Sequence, residues 1–81
     1  MFKNKSASGK NNICGEKIYL LRKQQPQKMS QRILAEKLQL KGIDIDKNAI
    51  QRIESGERFV TDIEIKALAE IFNISADTLL S

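Results

Sequence analysis

Apolar residues recur along this chain at helical rather than strand spacing. Cys14, Ile18 and Leu21 fall at i, i+4 and i+7, a helical stripe. This first helix must stop before Pro26, because proline disfavours helical geometry at the preceding Gln25. Ser30 stands as the N-cap of a second helix with Leu34, Ala35 and Leu38 as its buried face, and Gly42 ends it as a left-handed residue. Asp46 occupies the cap of a third, short helix in which Ile50 and Ile53 are the apolar pair and Gly56 the stop. Thr61 and Glu64 form an S/T-x-x-E capping box, and Ile65, Leu68, Ala69 and Phe72 follow at i, i+3, i+4 and i+7. Asn73 is a left-handed stop, after which Ser75 caps a final turn or two carrying Leu79 and Leu80. Five short helices, with no strand pattern and no internal repeat, predict an all-α fold.

Residues 1–12, MFKNKSASGKNN, include only Met1, Phe2 and Ala7 as apolar members, too few to offset the entropy of ordering the segment. They are expected to form a flexible basic arm ahead of one domain spanning 13–81. At 81 residues the chain has room for a single domain on the usual size of roughly 100 to 200 residues. No apolar run approaches the ~18 residues a membrane span needs, and the arm has no hydrophobic stretch resembling a signal peptide. A soluble cytoplasmic protein is expected.

Composition removes several chemistries. The chain has no histidine and one cysteine, so neither a Cys/His zinc site nor a Ser-His-Asp or Cys-His relay can be assembled within it. No internal disulfide can form. The reading is therefore a non-enzyme without a cofactor. Cys14, on the apolar stripe, reads as a small buried hydrophobe. Asp44, Asp46 and Asn48 imitate the opening of a calcium loop, but Ala49 stands where that loop requires Gly and Ser55 where it requires Glu.

Charge is unevenly distributed. The net +4 divides into +6 over residues 1–28 (seven basic, one acidic), +1 over 29–58 (six and five) and −3 over 59–81 (one and four). A polyanion would be met by the amino-terminal two thirds, with the acidic third turned away. The third helix gives this a chemistry. At 100° per residue, Lys47, Gln51, Ser55, Asn48 and Arg52 fall within roughly 140° of arc, with Ile50 and Ile53 opposite. Lys and Arg donate to guanine O6 and N7, and Asn or Gln bonds adenine N6 and N7, so these are the residue types that read a major groove. A solvated helix face is the alternative for any such stripe.

LLRK near the end of the first helix, SQ and LAEKL in the second, NAIQRIESGER across the third and IKALAEIFNIS in the fourth together resemble the lambda-repressor and Cro type of helix-turn-helix protein, the XRE family, from about Cys14 to Leu80. The resemblance implies a five-helix DNA-binding domain in which helices two and three form the helix-turn-helix, the second crossing the DNA backbone and the third entering the major groove. Gln31, Lys47, Asn48, Ala49 and Arg52 match base-facing positions, Ala49 as a contact for a thymine methyl, with Gln51 on the same face. Arg22, Ser30, Ser55 and Arg58 match positions that approach phosphates and set register. The arm's Lys3, Lys5 and Lys10 either trail along phosphates or are solvated.

Two departures from the family pattern stand out. The link QQPQKM looks about two residues longer than the usual turn, and the turn between helices two and three about five longer, extending the second helix to Lys41 with Ile43 and Ile45 beneath the turn. Glu54 reads as a helix-surface or packing residue, and Ile33 and Ile63 as edge-of-core or subunit-contact residues. The implied function is a bacterial or phage-type sequence-specific transcriptional regulator, a repressor, with double-stranded DNA as partner and a homodimer open. The alternative is an antitoxin-like or adaptor module, with a protein partner at the acidic carboxy-terminal third and Ile33, Ile63 and Leu80 as its contact surface.

Overall fold

A computed structural model describes residues 10–81. Five helices follow in order: α1 (Gly15–Lys23), α2 (Gln31–Leu40), α3 (Lys47–Ser55), α4 (Asp62–Phe72) and α5 (Ala76–Leu80), with no strand among the described residues. Each start after the first is fixed by a side-chain cap. Ser30 accepts from the Ile33 amide, Asp46 from Ala49 and Ser75 from Thr78. Thr61 and Glu64 complete the reciprocal capping box, satisfying donors that have no partner within the helix. Gly56 and Asn73 close α3 and α4 in the left-handed conformation. The second helix ends at Leu40 with Lys41 as its C-cap, one residue short of expectation. The left-handed Gly42 (φ 84°) turns the chain, and the Ile43 amide reaches back to the Leu38 carbonyl.

The core is contiguous. Cys14 and Ile18 from α1, Leu34, Ala35 and Leu38 from α2, Ile50 and Ile53 from α3, Ile65, Leu68 and Phe72 from α4 and Leu79 from α5 are buried together. Ile45 joins them from the turn and Ile43 is half-buried against them, so the added length of the α2–α3 link is anchored by its own apolar residues. Leu40, on that link's rim, is 88% exposed. Of the last pair only Leu79 enters the core, while Leu80 faces solvent, since adjacent helix positions diverge by about 100°. α3 packs on both α1 and α2, which leaves one side of it uncovered.

Most of the expected arm, including Lys3 and Lys5, lies outside the described residues. Its last two members belong to the fold: Asn11 and Asn12 bond to backbone groups at the end of α3 and just beyond it.

Candidate nucleic-acid interface

The uncovered side of α3 is its polar stripe. Ile50 and Ile53 turn into the core, so the residues opposite them must face out. Lys47, Asn48, Gln51, Arg52 and Ser55 are exposed, and Ala49 is half-buried at the edge of the stripe. Among the described residues, the side chains of Lys47, Asn48, Gln51 and Arg52 make no hydrogen bond or ion pair within the protein. The Ser55 hydroxyl donates to the Arg52 carbonyl. Asp46, at the head of the helix, is occupied by its bond to the Ala49 amide at 2.8 Å.

Glu54, one turn after Ile50, has a different environment. Arg22 donates from Nε and Nη2 to its two carboxylate oxygens at 2.8 and 2.9 Å. Arg22 also donates from Nη1 to the Met29 carbonyl at 3.1 Å, and the Gln31 amide nitrogen donates to the same carboxylate at 3.1 Å. The two charged side chains are 7% and 6% exposed. A forked Arg–carboxylate pair fixes orientation as well as charge, and this one joins the end of α1, the start of α2 and the last turn of α3. The carboxylate strengthens the hold of Arg22 on its proton, through the bond to Glu54 above all. Tyr19 lies beside the same guanidinium, 5.5 Å from ring centroid to Cζ.

The placement of Arg22 differs from its expected role at phosphates, because its guanidinium is turned inward to a buried partner. Arg58 is also paired with a carboxylate, though its side chain stays 32% exposed: Nη1 and Nη2 donate to Glu64 at 2.9 and 3.0 Å and Nη1 also to the Phe59 carbonyl. Burial alone would push the Glu64 carboxyl up. The Arg58 fork and the Thr61 amide bond outweigh it, so Glu64 stays below the ordinary carboxylate value. Gln31 sits beside α3 through Glu54, and Ser30 serves as a cap.

Glu54, read from the sequence as a surface or packing residue, is the hub that reasoning missed. The signal was present: Arg22 lies four residues after Ile18, and Glu54 four after Ile50, so each continues a buried line. Asn12 was missed as well, with no periodic signal to mark it.

Comparison with known families gives one match, to a helix-turn-helix family over residues 18–79, which takes in all of α2, α3 and α4. No curated protein matches the chain, and no solved structure does.

Proposed function

Because the chain belongs to the helix-turn-helix family of lambda-repressor and Cro type, whose members are DNA-binding regulators, we propose that it is a sequence-specific transcriptional repressor that reads DNA through the outer stripe of α3. The observation that carries this reading is that Lys47, Asn48, Gln51 and Arg52 have no partner among the described residues, on a helix whose opposite face is locked in the core. Donors that make no bond among the described residues are available to base edges, Lys47 and Arg52 to guanine, Asn48 and Gln51 to adenine. Ala49 offers its methyl to thymine. Gln31 keeps a second amide hydrogen for DNA, and the Ser30 hydroxyl, which accepts from Ile33, keeps its own hydrogen for a phosphate, as does a rotated Ser55. Arg22 supports this surface from within, through Glu54, while Arg58, paired with Glu64 but 32% exposed, stays within reach of a phosphate. As a repressor the protein acts by occupancy: whatever needs the bound segment is excluded from it.

Selection from a random duplex pool with purified protein at near-physiological salt tests the reading. A defined motif among the retained duplexes is expected. A palindromic one, with half-sites about 34 to 36 Å apart, indicates two copies side by side. Retention that is only weak, salt-sensitive and without motif would overturn sequence reading. It would favour the partner-binding alternative, which has its own observation in Ile63, 69% exposed on α4.

A further inference from the structure

The junction between the start of α1 and the end of α3 is built differently from the rest of the domain. Elsewhere helices meet through interlocking apolar side chains, which define both distance and angle, and at the other end of α1 through the Arg22–Glu54 fork. Here Gly15 brings backbone against backbone: a Cβ at that position would collide with the Ile53 carbonyl oxygen. At this contact the two backbones meet directly, and hydrogen bonds add direction to it.

Asn12 supplies them. Its side-chain amide donates to the Ile53 carbonyl at 3.0 Å and to the Arg58 carbonyl at 2.7 Å. These acceptors flank the left-handed Gly56 where the chain leaves α3. The side-chain oxygen accepts from the Gly15 amide at 2.8 Å, in the manner of a cap for α1, where Cys14 makes no side-chain cap bond. One amide thus ties the first residue of α1, the last turn of α3 and the segment after it. Asn11 reinforces the tie, from its backbone amide to the Gly56 carbonyl at 2.8 Å and from its side chain to the Glu57 carbonyl at 2.8 Å. The aliphatic stem of Lys10 covers Gly56.

The other end of α3 is held by the Asp46 cap and the buried Ile45. With nine residues, α3 is short: Ile50, Ile53 and the Arg22–Glu54 fork hold its inner side, and the bonds at its carboxy-terminal end narrow the tilt these allow. We infer that Asn12 is a positioning residue for DNA reading: by bonding the Ile53 and Arg58 carbonyls it sets the angle at which α3 presents Lys47, Asn48 and Arg52, so that sequence preference depends on a side chain on the far end of the helix from Lys47. This rests on the DNA-reading proposal above. Base contacts tolerate displacements of only about 0.5 Å or 10–20°, which makes a tilt at the clamped end costly at the reading end, while contacts to the uniform phosphate chain are less affected.

Asn12→Ser in the full chain tests this, since serine can still cap Gly15 but is too short to reach the two carbonyls. Asn12→Asp, which keeps the shape and the cap acceptor but has no donors, serves if the serine variant does not fold. Residual dipolar couplings of backbone amides report helix directions without DNA. We expect those of Lys47–Ser55 to depart from the orientation that still fits α1, α2 and α4. In parallel duplex selections, the variant's preference for the wild-type motif over random DNA should fall about tenfold, the size of one lost base contact, with random-DNA binding changed less than about twofold. Unchanged α3 couplings in a folded variant would overturn the inference, and so would an unchanged preference. If wild-type protein selects no motif, the DNA-reading proposal fails instead, and the couplings alone decide whether Asn12 orients α3.

Discussion

At the amino-terminal end of α3, Lys47 and Asn48 stand in solvent with no hydrogen-bond or ion-pair partner among the described residues, whereas at the carboxy-terminal end Glu54 is enclosed by Arg22 and Gln31 and the Ile53 carbonyl is taken by Asn12. The same nine-residue helix is open at one end and crowded at the other. A domain this small has too little buried area to dedicate a whole helix to either role. The division lets the crowded end supply a fixed frame and the open end supply contacts. It also explains why charges of one sign differ in purpose: Arg52 faces out, while Arg22 balances a buried carboxylate.

Glu54→Ala attacks the crowded end and should have the largest effect. Leaving Arg22 buried without its partner costs roughly 3–5 kcal/mol, read as a lowered urea midpoint. Replacing the pair together, Arg22→Met with Glu54→Leu, should recover much of that loss by removing the unpaired charge. If the single variant is as stable as wild type, the two ends of α3 are not distinct. Arg52→Ala probes the open end. Stability should shift by less than about 0.5 kcal/mol, while binding to a preferred duplex weakens by about 1–3 kcal/mol and preference relaxes at one base pair. A large loss of stability with unchanged preference would place Arg52 in the frame.

Asp46→Ala sharpens the contrast from the open side, where the cap is a principal tie. Its loss should lower stability by about 0.5–2 kcal/mol, measurable by thermal melting, with the Arg22–Glu54 junction intact. The smallest effect concerns acid. Because the folded Glu64 carboxyl is held below its usual range despite burial, its contribution is present above the unfolded value of about 4.3 and is lost as pH falls through the lower folded value. Glu64→Gln should flatten that acid branch in a stability profile followed by circular dichroism. A profile indistinguishable from wild type below pH ~4 would show that the Arg58 pair adds nothing there.

The five helices were legible because caps and stops are local: Ser30, Asp46, Thr61, Gly56 and Asn73 act on backbone groups within a few positions of themselves. The outward stripe of α3 followed from the same geometry, with Ile50 and Ile53 fixing which way it faced. What the residues did not disclose was the choice of partners across long separations. Arg22 meets Glu54 32 positions away, and Asn12 meets Arg58 46 positions away. A basic residue at a helix end looks the same in sequence whether a phosphate or a carboxylate awaits it. On the helical wheel Glu54 lies about 20° beyond Lys47 on the side toward Ile50, so its i+4 spacing from Ile50 signals the edge of the buried line but not which residue meets it there. The amides of Asn11 and Asn12 sit in a polar stretch whose composition resembles a tail, and their bonds go to backbone carbonyls at Ile53, Glu57 and Arg58, far away in sequence.

Cys14 carries a consequence of a practical kind. It is the chain's one cysteine, is 1% exposed in the core, and burial raises its thiol pKa, so in the closed domain it is neither reachable nor ionised enough to react. A thiol-specific dye can therefore attach only during an opening that exposes α1. The labelling rate serves as an internal clock for that opening, without any introduced probe.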